Sequence, residues 1–368
     1  MEYTKTELHT HLVGMLSAEE FVDFIKKCEI DSFKFEDKRL IPNDLLNEAY
    51  YKLIQIKDKE VISYNKMNLY YCNRTEILKS IVNEYAKKYS ISNKKASKYI
   101  YNLLINESLR SLVKQGVEYV EISYSFSDRI SNFIIDNDLK DKIKCKFLLS
   151  TQRTAPAQST DPNVNTFERA SKNLKKILEQ GNCVGFDIMG EETKLRDEEL
   201  DYNDKNHSFM VKLAILFDTL LRFDNTTLRI HSGETKESFN NTLFILKMID
   251  ELTTKMNIVI PPPEIRIGHG LYFNKEEEYI SLLKKFGCII EINASSNLKL
   301  GNIESEEFIP YNFYITNGIP IVISTDSHGL YGTTIPKEDE RANRVIRNDE
   351  KYNKIVEQDE KLLFKKGK

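Results

Sequence analysis

The stretch Thr6-Glu7-Leu8-His9-Thr10-His11-Leu12-Val13-Gly14 is a short β-rich run that carries two histidines and leads into a small loop. The pattern recurs. Comparable runs lie at residues 117–124 (VEYVEISY), 145–150 (CKFLLS), 183–189 (CVGFDIM), 227–231 (TLRIH), 264–269 (EIRIGH), 288–293 (CIIEIN) and 320–326 (PIVISTD), each followed by a helical pattern. Strand alternating with helix is the signature of parallel βαβ units, and eight such units are what a closed (β/α)8 TIM barrel of the α/β class requires. A doubly wound open sheet is the other α/β solution, but the chain has no glycine-rich dinucleotide fingerprint.

The spacing is regular except after the first run, where residues 17–116 read as helices such as SAEEFVDFIKKC and ASKYIYNLLINESLRSLVKQG. An insertion there would lie over the carboxyl-terminal mouth, where barrel active sites sit. We therefore expect residues 1–368 to form one barrel domain with a helical lid over about 17–116. The tail NDEKYNKIVEQDEKLLFKKGK reads as a charged amphipathic helix that frays at its end.

Of the 368 residues, 40% are apolar and 30% charged, which leaves enough apolar side chains for a large core. Lys plus Arg number 53 against 56 Asp plus Glu, a net charge of −3. No global field draws such a chain to nucleic acid or to an anionic membrane. The five cysteines are scattered and never form Cys-x-x-Cys, which suits reduced thiols rather than a disulfide framework. With no leader-like start and no long apolar segment, the expectation is a cytoplasmic, unanchored protein.

Side chains at i and i+2 of a strand share a face, so His9 and His11 can converge on one point inside a barrel. His231, His269 and Asp326 end the fifth, sixth and eighth runs, all at the functional rim. Three imidazoles and a carboxylate satisfy a borderline cation such as zinc, which lowers the pKa of a bound water toward neutrality. Glu234 stands three residues after His231, where its carboxyl can shuttle a proton to a substrate nitrogen without ligating the metal.

The motifs TELHTHLVG, VGFDIMGEE, HSGE, RIGHG and STDS, in this order from residue 6 to about 327, resemble those of the adenosine deaminase family of metal-dependent amidohydrolases. The resemblance implies one Zn2+ bound by His9, His11, His231 and Asp326. It also implies that Glu234 protonates purine N1, that His269 orients the attacking hydroxide, and that the backbone of Gly190 meets the purine ring. The substrate would be an adenine nucleoside or 5′-monophosphate, converted to the inosine form with release of ammonia. That chemistry serves purine metabolism or nucleotide-based antiphage defence in such proteins. Binuclear relatives bridge two metals with a strand-four lysine, and CVGFDIMG has none.

Two positions depart from the family pattern. Val13 stands where many members carry an aspartate that binds the ribose 5′-hydroxyl; its absence removes a barrier to a 5′-phosphate. Ser327 replaces a second aspartate that pairs with purine N7, leaving a hydroxyl as the donor. Arg153, Lys299 and Lys337 are the candidate phosphate cations. Asp187 is read as a support for a metal ligand or for buried backbone, His328 as lining the site or as a surface loop residue, and His207 as a capping or surface residue. The aromatic YYKL and LYYCNR read as helix packing. The alternatives are a metal-dependent amidohydrolase of another ring and a silent nucleotide-binding barrel; loss of a ligand or of Glu234 would mark the latter, and all are retained.

Overall fold

The computed structural model describes residues 3–35, 39–42, 54–57, 60–258, 263–273 and 275–365. Its strands are β1 (Thr6–His11), β2 (Ser32–Phe35), β3 (Arg39–Pro42), β4 (Tyr119–Tyr124), β5 (Lys144–Gln152), β6 (Cys183–Met189), β7 (Thr227–Ser232), β8 (Glu264–His269), β9 (Ile289–Ile292) and β10 (Ile321–Ile323). Eight of them form one parallel sheet in the order β1-β4-β5-β6-β7-β8-β9-β10. All eight runs expected from the sequence are barrel strands, with ends shifted by no more than a few residues.

The sheet closes through Asp326. A parallel bridge joins Thr10 to Asp326, with His11 N donating to Asp326 O at 2.9 Å and Asp326 N donating to His9 O at 2.8 Å. The first and last strands are thereby laced together at the carboxyl-terminal mouth. The register of β1 against β4 shifts between Glu7 and Thr10; such irregularities re-aim side chains beside barrel rims.

The insertion is not wholly helical. SFKF alternates polar and apolar in a period of two and pairs antiparallel with RLIP as β2–β3, with β2 packed on the helix Tyr64–Lys88. That helix starts at Ser63, whose hydroxyl accepts from Lys66 N, and is followed by the helix Asn93–Lys114, capped by Ser92. The segment YYKL lies outside the described residues.

One core runs from the barrel wall into the surrounding helices. The carboxyl-terminal helix Asp349–Lys365 buries Tyr352, Ile355, Val356 and Leu362, and Asp359 accepts from Lys5 N at 2.6 Å and from Thr6 Oγ1. The tail is thus a packed element tied to β1 through residue 365. No helix among the described residues is long and apolar enough to cross a membrane, and all five cysteines are unpaired.

Candidate metal and active site

The strand ends bring four histidines into one cluster. The ring centroid of His9 lies 5.6 Å from that of His11, 4.6 Å from that of His231 and 5.0 Å from that of His269. Nitrogens of His9, His11 and His231 lie within 4.8 Å of one another, and a second group of equal span joins His231, Glu234 and His269. Asp326 Oδ1 approaches His11 Nε2 at 3.4 Å. Gly268 makes room for this packing, since a Cβ there would sit 2.8 Å from the His9 ring.

Burial drives His9 and His269 well below the usual imidazole range and His11 down to about 3, so these rings are neutral, and those of His9 and His11 keep a lone pair for a cation. For His231, burial acts in the same direction but Asp187 outweighs it and the net shift is upward. His9 Nε2 is buried without a hydrogen-bond partner, and the buried His231 Nε2 and Asp187 Oδ1 meet each other only loosely, at 3.4 Å. Orphaned buried polar atoms are costly, and a cation among these imidazoles and carboxylates would satisfy them. The donor set fits a borderline divalent ion such as zinc.

Two of the clustered residues adopt left-handed backbone: His269 at φ 76° and Asp326 at φ 65°. Such conformations cost on the order of 1–3 kcal/mol each and persist where surrounding structure imposes them. Asp326 is held by its two backbone bonds to β1. At His269, Asn297 Nδ2 donates to Nδ1 at 3.0 Å, which leaves the Nε2 proton facing Glu234 Oε2 at 3.8 Å. Asn302 Nδ2 then links Asn297 Oδ1 at 3.0 Å to Glu234 Oε1 at 3.3 Å.

Glu192, from the loop after β6, holds the Glu234 loop from the other side. It accepts from Glu234 N at 2.7 Å, Ser238 Oγ at 2.9 Å and Asn241 Nδ2 at 3.0 Å. Burial, reinforced by the nearby carboxylates of Asp326 and Glu192 and opposed by His231, pushes the Glu234 carboxyl up to about 8. At neutral pH it carries a proton that it can give away.

These groups open into a cavity of about 270 Å³ at the mouth. The inserted helix supplies Tyr64, Met67, Asn68, Tyr71 and Thr75, whose three- and four-residue spacing puts them on one helical face. The barrel strands and the loops just after them supply Val13, Ser123, Tyr124, Ser125, Ser150, Gln152 and Gly190. Gly190 sits at φ 111°, and any Cβ there would collide with Gln152 Oε1.

The structure brings His9, His11, His231, His269, Glu234 and Asp326 together, and places Val13 and Gly190 on the cavity wall. It does not place the remaining substrate candidates there. Ser327 is buried away from the cavity, its hydroxyl donating to Asp326 O at 2.6 Å and bonded to Tyr71 Oη. The Arg153 guanidinium is buried against Glu192 at 3.5 Å and over Phe209. Lys299 Nζ donates to Lys57 O at 2.7 Å, and Lys337 is exposed in the first turn of the helix Ile335–Ile346. Among the described lining residues there is no Lys or Arg.

His328 is buried rather than a surface residue, with Nε2 3.3 Å from Ser111 Oγ. His207 is exposed beside Asp204. The sequence reading missed Tyr64, Tyr71, Asn297 and Asn302. For the first two the spacing of the helix was the available signal, and for the asparagines there was none.

A closed parallel barrel with a histidine–carboxylate centre at its carboxyl-terminal mouth is an architecture suited to metal-assisted hydrolysis. The particular lineage is unambiguous: the model of the family described as adenosine deaminase matches residues 4–359, and the chain belongs to that family. An adenosine deaminase of Clostridium botulinum (strain 657 / Type Ba4) is 25% identical over 354 residues, 92% of this chain and 87% of that protein. The fold is similar to that of an N6-methyl-AMP deaminase from Arabidopsis thaliana, with TM-score 0.62, 18% identity, and 96% and 90% of the two chains covered. An Arabidopsis ADAL structure complexed with IMP matches with TM-score 0.56 at 19% identity over 97% and 90% of the two chains.

Proposed function

We propose that this protein hydrolytically deaminates the adenine ring of a nucleoside or nucleoside 5′-monophosphate, using one zinc ion held by His9, His11, His231 and Asp326. The observation that carries the reading is the convergence of three imidazoles within 4.8 Å beside a cavity whose wall holds a protonated glutamic acid. In the reaction a C6–O bond forms with water, the C6–N6 bond breaks and N6 leaves as ammonia. Zinc, when bound, would supply a water of lowered pKa and a positive charge near the developing oxyanion.

The protein's own groups would do the rest. Glu234 would deliver its proton to ring N1, making C6 electrophilic, and then take a proton from the incoming water for transfer to the leaving nitrogen. His269, fixed by Asn297, would hold the attacking oxygen. The flat wall at Gly190 would take the ring, and the face of Tyr64, Met67 and Tyr71 would cover it against water.

Because the acting form of Glu234 is protonated and its pKa is raised, activity should be retained at neutrality and lost as pH rises through about 8. A kcat/KM profile measured from pH 6 to 10 checks this. A profile flat to the alkaline end would remove Glu234 as the acid.

The 5′-monophosphate is the form that Val13 supports, since no carboxylate stands there to repel it. The described wall would meet a phosphate with the hydroxyls and amides of Asn68, Thr75, Ser123, Ser125, Ser150 and Gln152. Val13→Asp is expected to lower kcat/KM for AMP by about tenfold or more relative to adenosine, like charges at short range costing a kcal/mol or more. The assay is turnover of both substrates by both proteins, and an unchanged ratio would remove the ground for the monophosphate.

A further inference from the structure

We propose that Arg229 is a positioning residue for the metal centre: one buried guanidinium holds the two carboxylates that orient the metal-binding histidines His9 and His231. Arg229 lies two residues before His231 on β7 and is wholly buried in the barrel interior, directly beneath the cluster. Its Nη2 donates to Asp187 Oδ2 at 2.9 Å and to Ser123 Oγ, and its Nη1 donates to Leu8 O at 2.6 Å and lies 3.6 Å from Glu291 Oε2. With one carboxyl oxygen so engaged, Asp187 presents its Oδ1 to His231 Nε2 at 3.4 Å. Glu291 is shared by two arginines: its Oε1 accepts from Arg266 Nη1 at 3.2 Å, while its Oε2, on the Arg229 side, stands 3.0 Å from His9 Nδ1.

The two histidines on opposite sides of the barrel therefore share one support. The Glu291 contact puts the His9 proton on Nδ1 and turns Nε2 to the cluster, as second carboxylates do for metal-bound imidazoles. The planar fork of an arginine can hold two carboxylates and a backbone carbonyl at once; a lysine ammonium cannot reproduce that geometry. The backbone bond to Leu8, next to His9, also ties β7 to β1.

The inference rests on the reading that these histidines bind zinc, and it is tested on metal affinity, not on turnover. Zn2+ is titrated into the metal-free full-length protein against a chromophoric chelator, for wild type, R229M, R229K, E291Q and E121Q, with circular dichroism and thermal melting to establish that each is folded. Glu121 is the control: it sits in the same buried ionic layer but one link further from the cluster, bonded to Arg266 Nη1 at 2.8 Å, which in turn donates to Glu291 Oε1 at 3.2 Å.

R229M and E291Q are expected to weaken zinc binding by about 10–100-fold, R229K less so, and E121Q by less than about twofold even where it lowers the melting temperature. Should R229M fail to fold, R229K and E291Q carry the comparison. Wild-type affinity in the folded Arg229 and Glu291 variants would overturn the inference and leave the proposed function standing, as would an equal loss in E121Q. A wild-type protein that binds no zinc would overturn both.

Discussion

Glu234→Gln is expected to lower kcat by about 10²–10⁴-fold, the span that a positioned general acid supplies, while bound metal and KM change little. Gln keeps the volume of the side chain and can still accept from Asn302, so the loop held by Glu192 has no reason to move. What it cannot do is release a proton to a ring nitrogen. Burial is the cause of the acidity here: the carboxyl is pushed up to about 8 because its charged form is desolvated, with Asp326 and Glu192 adding repulsion. Steady-state kinetics beside metal analysis checks this. A Gln variant within about threefold of wild type would mean that another group protonates the substrate.

The second large effect is expected from His11→Ala. His11 is the most exposed of the clustered histidines, its side chain 16% accessible against 0% for His9, so its removal opens little core. Its ring is neutral and its Nε2 lies beside Asp326. Deleting it leaves two imidazoles and a carboxylate, and zinc affinity should fall by more than about 10²-fold, beyond the effect of removing an outer support. Metal content of the purified variant should drop well below that of wild type, with activity falling in proportion and recovering only at high added zinc. Full zinc occupancy with full activity would take His11 out of the ligand set.

The barrel was legible because β-rich runs and helical patterns alternate at a regular spacing, and because His11, His231, His269 and Asp326 each end or nearly end a run. His231, His269 and Asp326 could be placed at one rim from strand order alone. The hairpin β2–β3 was not expected, since SFKF and RLIP are four-residue strands hidden between helical patterns. The ionic layer under the cluster was also overlooked, although the same alternation that paired His9 with His11 places Arg229 on the inward face with His231.

The phosphate cations show the opposite limit. Arg153, Lys299 and Lys337 were chosen for proximity to strand ends, but a long side chain goes where its partner is. Glu192 takes the first, the Lys57 carbonyl the second, and solvent the third. Ser327 is off the cavity wall for a similar reason: Tyr71, from the inserted helix, lines the cavity and bonds its hydroxyl. Which inserted residues face the cavity depends on how the helix Tyr64–Lys88 docks over the mouth, and that is a tertiary property.

The central claim is a zinc-dependent deamination at C6, and the most direct test is one assay on the purified full-length protein. Bound zinc is counted per chain, and adenosine, AMP, dAMP and an N6-methylated AMP are each incubated with it while loss of the adenine absorbance and release of ammonia or methylamine are followed. The account predicts one zinc per chain and stoichiometric conversion of at least one of these purines to its 6-oxo product, abolished by a chelator and restored by zinc. Zinc at one per chain with no turnover of any of the four would contradict it.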